Sequence, residues 1–332
     1  MKLEQRLVKY KDLKPCTNAF IDTRSPGSDK KENFTVIGPG VAENPHQHVH
    51  ISIPHGFNIG GARQPPGCLN SQHSHLTEEV FVVHFGDWDF ITGINADDGR
   101  ITLNPGDVIS IPMDVFRGFE NSGSVLGYLH AVLGGDDPGR VLWAPSVFEM
   151  AKDFGLVLLE NGALVDTTLG ETIPDGELPM PVTSAQQIAE HRVINSEMLD
   201  DIVVRVADFN WQTDTVMASF DGVAEAGLIG PENKQEGILA SKLNWQHDFV
   251  MSAIRLAPGA SIADHIRYEE EVVFIHQGAL IMTVDSQQVE LTKGDNFSTP
   301  INAARSFSNH GEQDAIAYIT RRTNSPKKPS FI

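Results

Sequence analysis

The chain has 332 residues, a formal net charge of −19 and 40% apolar residues. Such acidity leaves no basic footprint for nucleic acid, and no run approaches the ~18 consecutive apolar residues of a membrane span. Two cysteines, Cys16 and Cys68, give no disulfide framework, and the N-terminus lacks the apolar core of a signal peptide, so a cytoplasmic protein is expected.

Residues 1–39 are polar and read as an N-terminal arm. Short apolar runs bounded by Gly, Pro, Asn and Asp follow, at Glu79–Phe85, Val108–Ile111 and Val125–Leu133, and these predict strands. Helical patterns are few, at Pro145–Phe154 and at Ser184–His191, where Ser184 is a candidate N-cap. Between them, Leu169 to Ser184 is the most linker-like stretch. Further strands are expected at Glu271–His276, Leu280–Val284 and Ala315–Thr320. The pattern is that of an all-β protein of sandwiches or barrels.

One segment carries chemistry. From Gly67 the chain reads five residues, His73-Ser-His75, three residues, Glu79, six residues and Gly86. His73, His75 and Glu79 lie at even offsets, which on one strand would put all three side chains on one face. Two imidazoles and one carboxylate with open positions are the ligand set of non-heme Fe(II) sites. Glu78 has the opposite parity and is expected to point away.

The segment recurs. Gly259, His265, Glu271, His276 and Gly278 repeat Gly67, His73, Glu79, His84 and Gly86 at an offset of 192. Gly106-Asp…Pro112…Arg117-Gly-Phe119-Glu-Asn121 recurs as Gly294-Asp…Pro300…Arg305-Ser-Phe307-Ser-Asn309 at an offset of 188. Two like domains are therefore expected, over 40–145 and 235–325, with 146–234 as a linker carrying extra strands and helices.

These two spaced motifs resemble those of the cupin superfamily, and two pairs in one chain resemble a bicupin. The resemblance covers about two thirds of the chain and implies two tandem jelly-roll β-barrels with few short helices, each able to hold a metal. It places the metal at His73, His75 and Glu79. The position where cupins usually place a fourth ligand is Arg117, which stays protonated and cannot ligate. In the second half only His265 and Glu271 remain of four ligands, with Arg267 and Arg305 at the other two positions. Metal is not expected there; an ion pair of Glu271 with an arginine or an anion pocket is.

Other groups weigh less. Arg117 either holds a substrate anion or points outward to pair with Asp114 or Glu120. His130 could approach the cavity from its strand. His84 and His276 have odd parity to the ligands and read as packed or surface histidines. His46, His48 and His50 alternate without a carboxylate. Phe81, Phe116 and Phe119 read as barrel core, and the Gly135–Arg140 stretch as a solvated turn.

The leading functional expectation is a metal-dependent dioxygenase, using Fe(II) with Mn, Zn or Ni as alternatives, acting with O2 on a small anionic dihydroxy-aromatic substrate. The resemblance to gentisate-type and hydroquinone-type ring-cleaving dioxygenases is general, and the latter type implies a small cupin subunit as a partner. The alternatives are a non-oxidative metal-dependent lyase or isomerase on a hydroxy acid or sugar derivative, and a ligand-binding cupin without turnover. A homo-oligomer is expected, with no membrane or nucleic-acid partner.

Overall fold

The computed structural model describes residues 2–332. The apolar runs pair into two equivalent sandwiches of mainly antiparallel sheets. In the first, the large sheet orders its central strands Val108–Ile111, Glu79–Phe85, Gly127–Gly134, Phe57–Gln64 and Glu32–Ile37. The second has Asn296–Thr299, Glu271–Gln277, Ala315–Arg322, Phe249–Leu256 and Val223–Ile229 in the same order. The small sheets correspond as well. Leu142–Trp143, Leu69–Ser74, Arg117–Asn121, Trp88–Thr92 and Gly99–Leu103 match Ser330–Phe331, Ser261–Ile266, Arg305–Ser308, Ala279–Val284 and Gln287–Thr292.

These boundaries differ from those read in the sequence. The first barrel begins at Glu32, inside the expected arm, and the second begins at Val223, inside the expected linker. The large sheets also take edge strands from outside their own halves. Val203–Val204 from the linker pairs with Val108–Ile111, and Leu7–Val8 from the N-terminal arm pairs with Asn296–Thr299 of the second barrel. Composition marks such segments as polar connections because a short edge strand carries too few apolar residues to show a period of two.

The motif glycines close tight turns. Gly86 has φ 81°, and a Cβ there would lie 2.7 Å from Gly127 Cα. At Gly278 (φ 71°) a Cβ would lie 2.8 Å from Asp314 O, so neither site admits a side chain. The helices Pro145–Asp153 and Ala185–Ala189 lie where the sequence suggested, and Ser184 Oγ accepts from Gln187 N–H. A third helix, Ser196–Asp201, capped by Asn195, was not anticipated. No helix among the described residues is long and apolar enough to cross a membrane.

Each barrel has its own apolar interior, with Phe81, Phe90 and Phe119 in the first and Met282, Phe297 and Phe307 in the second. The outer faces of the two large sheets bury each other. Phe57, Val82 and Tyr128 meet Phe249, Phe274 and Tyr318 in one cluster. The seam has an approximate two-fold character. Ser110 and His247 form a 2.7 Å hydrogen bond, and the duplicated pair Ser298 and His55 forms another of 2.7 Å. His84 and His276 meet each other, Nδ1 to Nδ1, at 3.4 Å.

Candidate metal centre

His73 lies near the end of Leu69–Ser74, His75 just beyond it, and Glu79 opens the next strand, which belongs to the opposite sheet. The side chains therefore do not share one strand face, as the even offsets suggested. The chain turns through Leu76–Glu78 and crosses between sheets, and the two sheets of the sandwich bring the side chains together. One ligand atom from each of His73, His75 and Glu79 lies within 4.8 Å of the others, and all three residues are buried.

The donor set suits a divalent cation. His73 Nδ1 is 2.7 Å from Ser71 O, a carbonyl that only accepts. Nδ1 therefore carries the proton, and Nε2 keeps a lone pair for the site. Burial, and then the Arg117 charge, push His73 down to about 3, and the same causes lower His75. Both rings are neutral at ordinary pH, the form that ligates metal. His75 Nδ1 has no protein partner. His75 Nε2 lies 3.6 Å from Glu79 Oε2.

Arg117 is inside the barrel, in register with His73 across Leu69–Ser74. Neither expected role describes its position. It does not pair outward with Asp114 or Glu120, and it does not face the cavity where a substrate anion would bind. Its Nη2 donates to Glu79 Oε2 at 2.6 Å and its Nη1 to His73 O at 3.4 Å. A buried guanidinium takes the nearest buried carboxylate, because either charge left alone would be costly. Burial raises the Glu79 carboxyl, and Arg117 opposes that rise.

His130 does not approach the cavity. On Gly127–Gly134 the alternate residues Ala131 and Leu133 line it, so His130 faces the seam, where it stacks on Phe274 at 4.1 Å and 11°. His84 and His276 also lie in the seam. His48 and His50 sit together near the surface, with His50 Nδ1 against Thr35 O. Glu78 is half-buried near Arg192 and Trp245 and is not among the residues lining the cavity. Asp136 and Asp137 accept backbone N–H groups of Gly56 and Gly139, which is turn chemistry.

The triad opens on a cavity of about 70 Å³. Its walls include Phe34, Phe81, Phe119, Leu133 and Trp143. Several wall residues escaped the sequence reading. Trp143 packs on His73 at 5.2 Å between ring centroids, and its Nε1 donates to Glu43 Oε1 at 2.6 Å. Phe20 and Asn33 reach the cavity from the first forty residues. That segment is fixed by a fully buried ion pair of Lys31 with Asp22, whose carboxylate also accepts from Ser71 N–H. Trp143 did carry a signal, since it aligns with Phe331 at the offset of the second motif, 188.

Phe331 packs over His265 in the second barrel, much as Trp143 packs over His73. There Glu271 lies 2.9 Å from Arg305 and 3.2 Å from Arg267, all buried. Burial alone would raise Glu271, but Arg305 and Arg267 outweigh it and hold the carboxyl down at about 2. The second site is a buried ion cluster.

A model of the cupin domain matches residues 253–320, within the second barrel. No curated protein matches the chain in sequence. Among solved structures, the oxalate decarboxylase of Lactobacillus farciminis, in complex with formate, aligns with a TM-score of 0.59 at 12% identity, over 98% of this chain and 88% of that one. Oxalate decarboxylase from Bacillus subtilis aligns with a TM-score of 0.58 at 11% identity, over 98% and 78%. AerE from Microcystis aeruginosa aligns with a TM-score of 0.52 at 12% identity, over 96% and 99%. Likeness at these identities speaks for the fold, and it spans both barrels. The second barrel carries the cupin domain, and the duplicated motifs, the matched order of strands and these likenesses give the whole chain a bicupin fold.

Proposed function

We propose that this bicupin is a divalent-metal-dependent enzyme of the lyase or isomerase type, acting without an oxidant on a small carboxylate in the first barrel. The observation that carries the reading is the convergence of His73, His75 and Glu79 on a small, largely apolar cavity. His73 and His75 would hold the ion through ring nitrogens and Glu79 through its carboxylate. The ion would serve as a Lewis acid, stabilising charge that develops on a substrate oxygen. Arg117 already compensates Glu79. A bound ion would then bring two uncompensated positive charges, and an anionic substrate suits that field. Trp143 and Phe81 in the wall keep bulk water from the reacting atoms.

The solved oxalate decarboxylases give the non-oxidative reading more support than the oxygenase reading. Fe(II) has no advantage over Mn, Zn or Ni on the donor set alone.

The test begins with elemental analysis of the full chain, wild type and His75→Ala, after loading with each ion. Stoichiometric metal in the wild type and its loss in the variant are expected; equal metal in both sinks the ligand assignment. The loaded enzyme is then given small hydroxy- and oxo-carboxylates without air. Turnover in the absence of O2 is expected, whereas oxygen uptake coupled to product returns the oxygenase reading.

A further inference from the structure

The cavity wall contains no lysine or arginine among the described residues. Two buried cations beside its lining residues are both engaged, Arg117 with Glu79 and Lys31 with Asp22. The wall's own charged group, the Glu79 carboxylate, is already compensated by Arg117 and offers an anion no partner. Most of the remaining surface is aromatic, aliphatic or glycine. A carboxylate pressed against such a wall would lose its hydration without gaining a partner.

The wall's free donors are neutral amides. Asn33 Nδ2 is buried without a hydrogen-bond partner, and Asn70 uses only its Oδ1, which accepts from Gln64. Such amides can donate to an uncharged oxygen but cannot neutralise a charge.

We infer that the substrate class of this site is a short monocarboxylic acid with a neutral oxygen beside the carboxylate and an apolar tail, and that dicarboxylates, oxalate among them, are rejected. The inference rests on the reading of His73, His75 and Glu79 as a metal centre that receives the acid end. It adds that the selectivity lies in the cation-free wall, and that Gly60 sets its depth. Gly60 lines the cavity with an ordinary backbone conformation, and a Cβ there would meet Phe34 O at 3.3 Å. Any longer side chain would extend into the substrate space.

The test is calorimetric binding to the metal-loaded full chain, with turnover not required. 2-Hydroxybutanoate and malate share the hydroxy acid end and differ in a terminal methyl against a terminal carboxylate; oxalate is the third ligand. Tighter binding of 2-hydroxybutanoate, by about tenfold or more over both diacids, is expected. Equal or tighter binding of either diacid overturns the inference, as does the absence of binding by all three. Gly60→Val should weaken 2-hydroxybutanoate by about tenfold or more at unchanged metal content. Ala131→Val, beside Gly60 on the adjacent strand of the same sheet, makes the same test if Gly60→Val does not fold. Undiminished affinity in a folded variant removes the depth argument. Metal content is read separately. A chain that takes up no metal overturns the proposed function and this inference together, while a fully loaded chain that prefers diacids overturns the inference alone.

Discussion

Arg117 places its Nη2 2.6 Å from Oε2 of Glu79, so one carboxylate serves both as a candidate metal ligand and as the counter-ion of a buried guanidinium. The duplicated pair, Arg305 with Glu271, keeps the same arrangement at 2.9 Å. The difference between the barrels lies at His75, which is Arg267 in the second copy. With a second histidine the site offers three donors; with a second arginine it becomes a self-contained ion cluster.

Removing Arg117 strands the Glu79 charge. Arg117→Ala should cost about 3–5 kcal/mol in the metal-free protein. Bound metal should return part of that loss by replacing the missing positive charge. Urea denaturation of wild type and variant, with and without a divalent ion, reads both effects. A variant whose stability does not respond to metal would mean that Glu79 is not a ligand.

The ion cluster of the second barrel should behave differently when broken and when replaced. Arg305→Ala should destabilise by about 3–5 kcal/mol. Replacing Glu271, Arg267 and Arg305 together by Leu and Met should be neutral or stabilising by about 1–4 kcal/mol. Equilibrium unfolding of both variants separates a structural role from a binding one.

The same cluster sets an acid limit. The Glu271 carboxyl is held down from 4.5 to about 2 in the fold. Its contribution is therefore fully present above pH 4.5 and is lost as pH falls towards 2. A melting series over that range should show wild type losing stability more steeply than Glu271→Gln.

Glu43 gives the opposite slope. Burial raises its carboxyl from 4.5 to about 8, although Trp143 and Ile21 N–H both donate to it. A raised carboxyl favours the fold below pH 4.5, and that advantage is lost as pH rises through about 8. Glu43→Gln should flatten the melting profile between pH 5 and 9 and gain on wild type at the alkaline end. Parallel profiles would show that Glu43 is ionised throughout.

His130→Phe should leave metal content unchanged, because His130 stacks on Phe274 in the seam and does not face the cavity. A volume-conserving aromatic exchange there should change stability by less than about 1.5 kcal/mol. Elemental analysis and thermal melting decide; a loss of metal would place His130 at the centre after all.

The sequence made the duplicated β architecture and His73, His75 and Glu79 legible, because ligand spacing and turn glycines are local properties. It did not disclose that the two sheets, and not one strand face, bring the ligands together. Arg117 was read from its type, but its partner depended on which carboxylate the fold would bury beside it. Asn33 and Phe20 were hidden in a segment that looked like a polar arm. Their roles arise from the chain folding back over the barrel mouth, which no periodicity records.

The exchanged edge strands carry a consequence for assembly. Leu7–Val8 covers an edge of the later barrel, and Val203–Val204 covers the matching edge of the earlier one. During synthesis Leu7–Val8 emerges almost three hundred residues before the strand it covers. Without that pairing Asn296–Thr299 would be an open edge, and an uncovered strand is a template for pairing between chains. A clone cut between the two repeats would leave that open edge on the second fragment, so the duplicated halves have become mutually dependent for solubility.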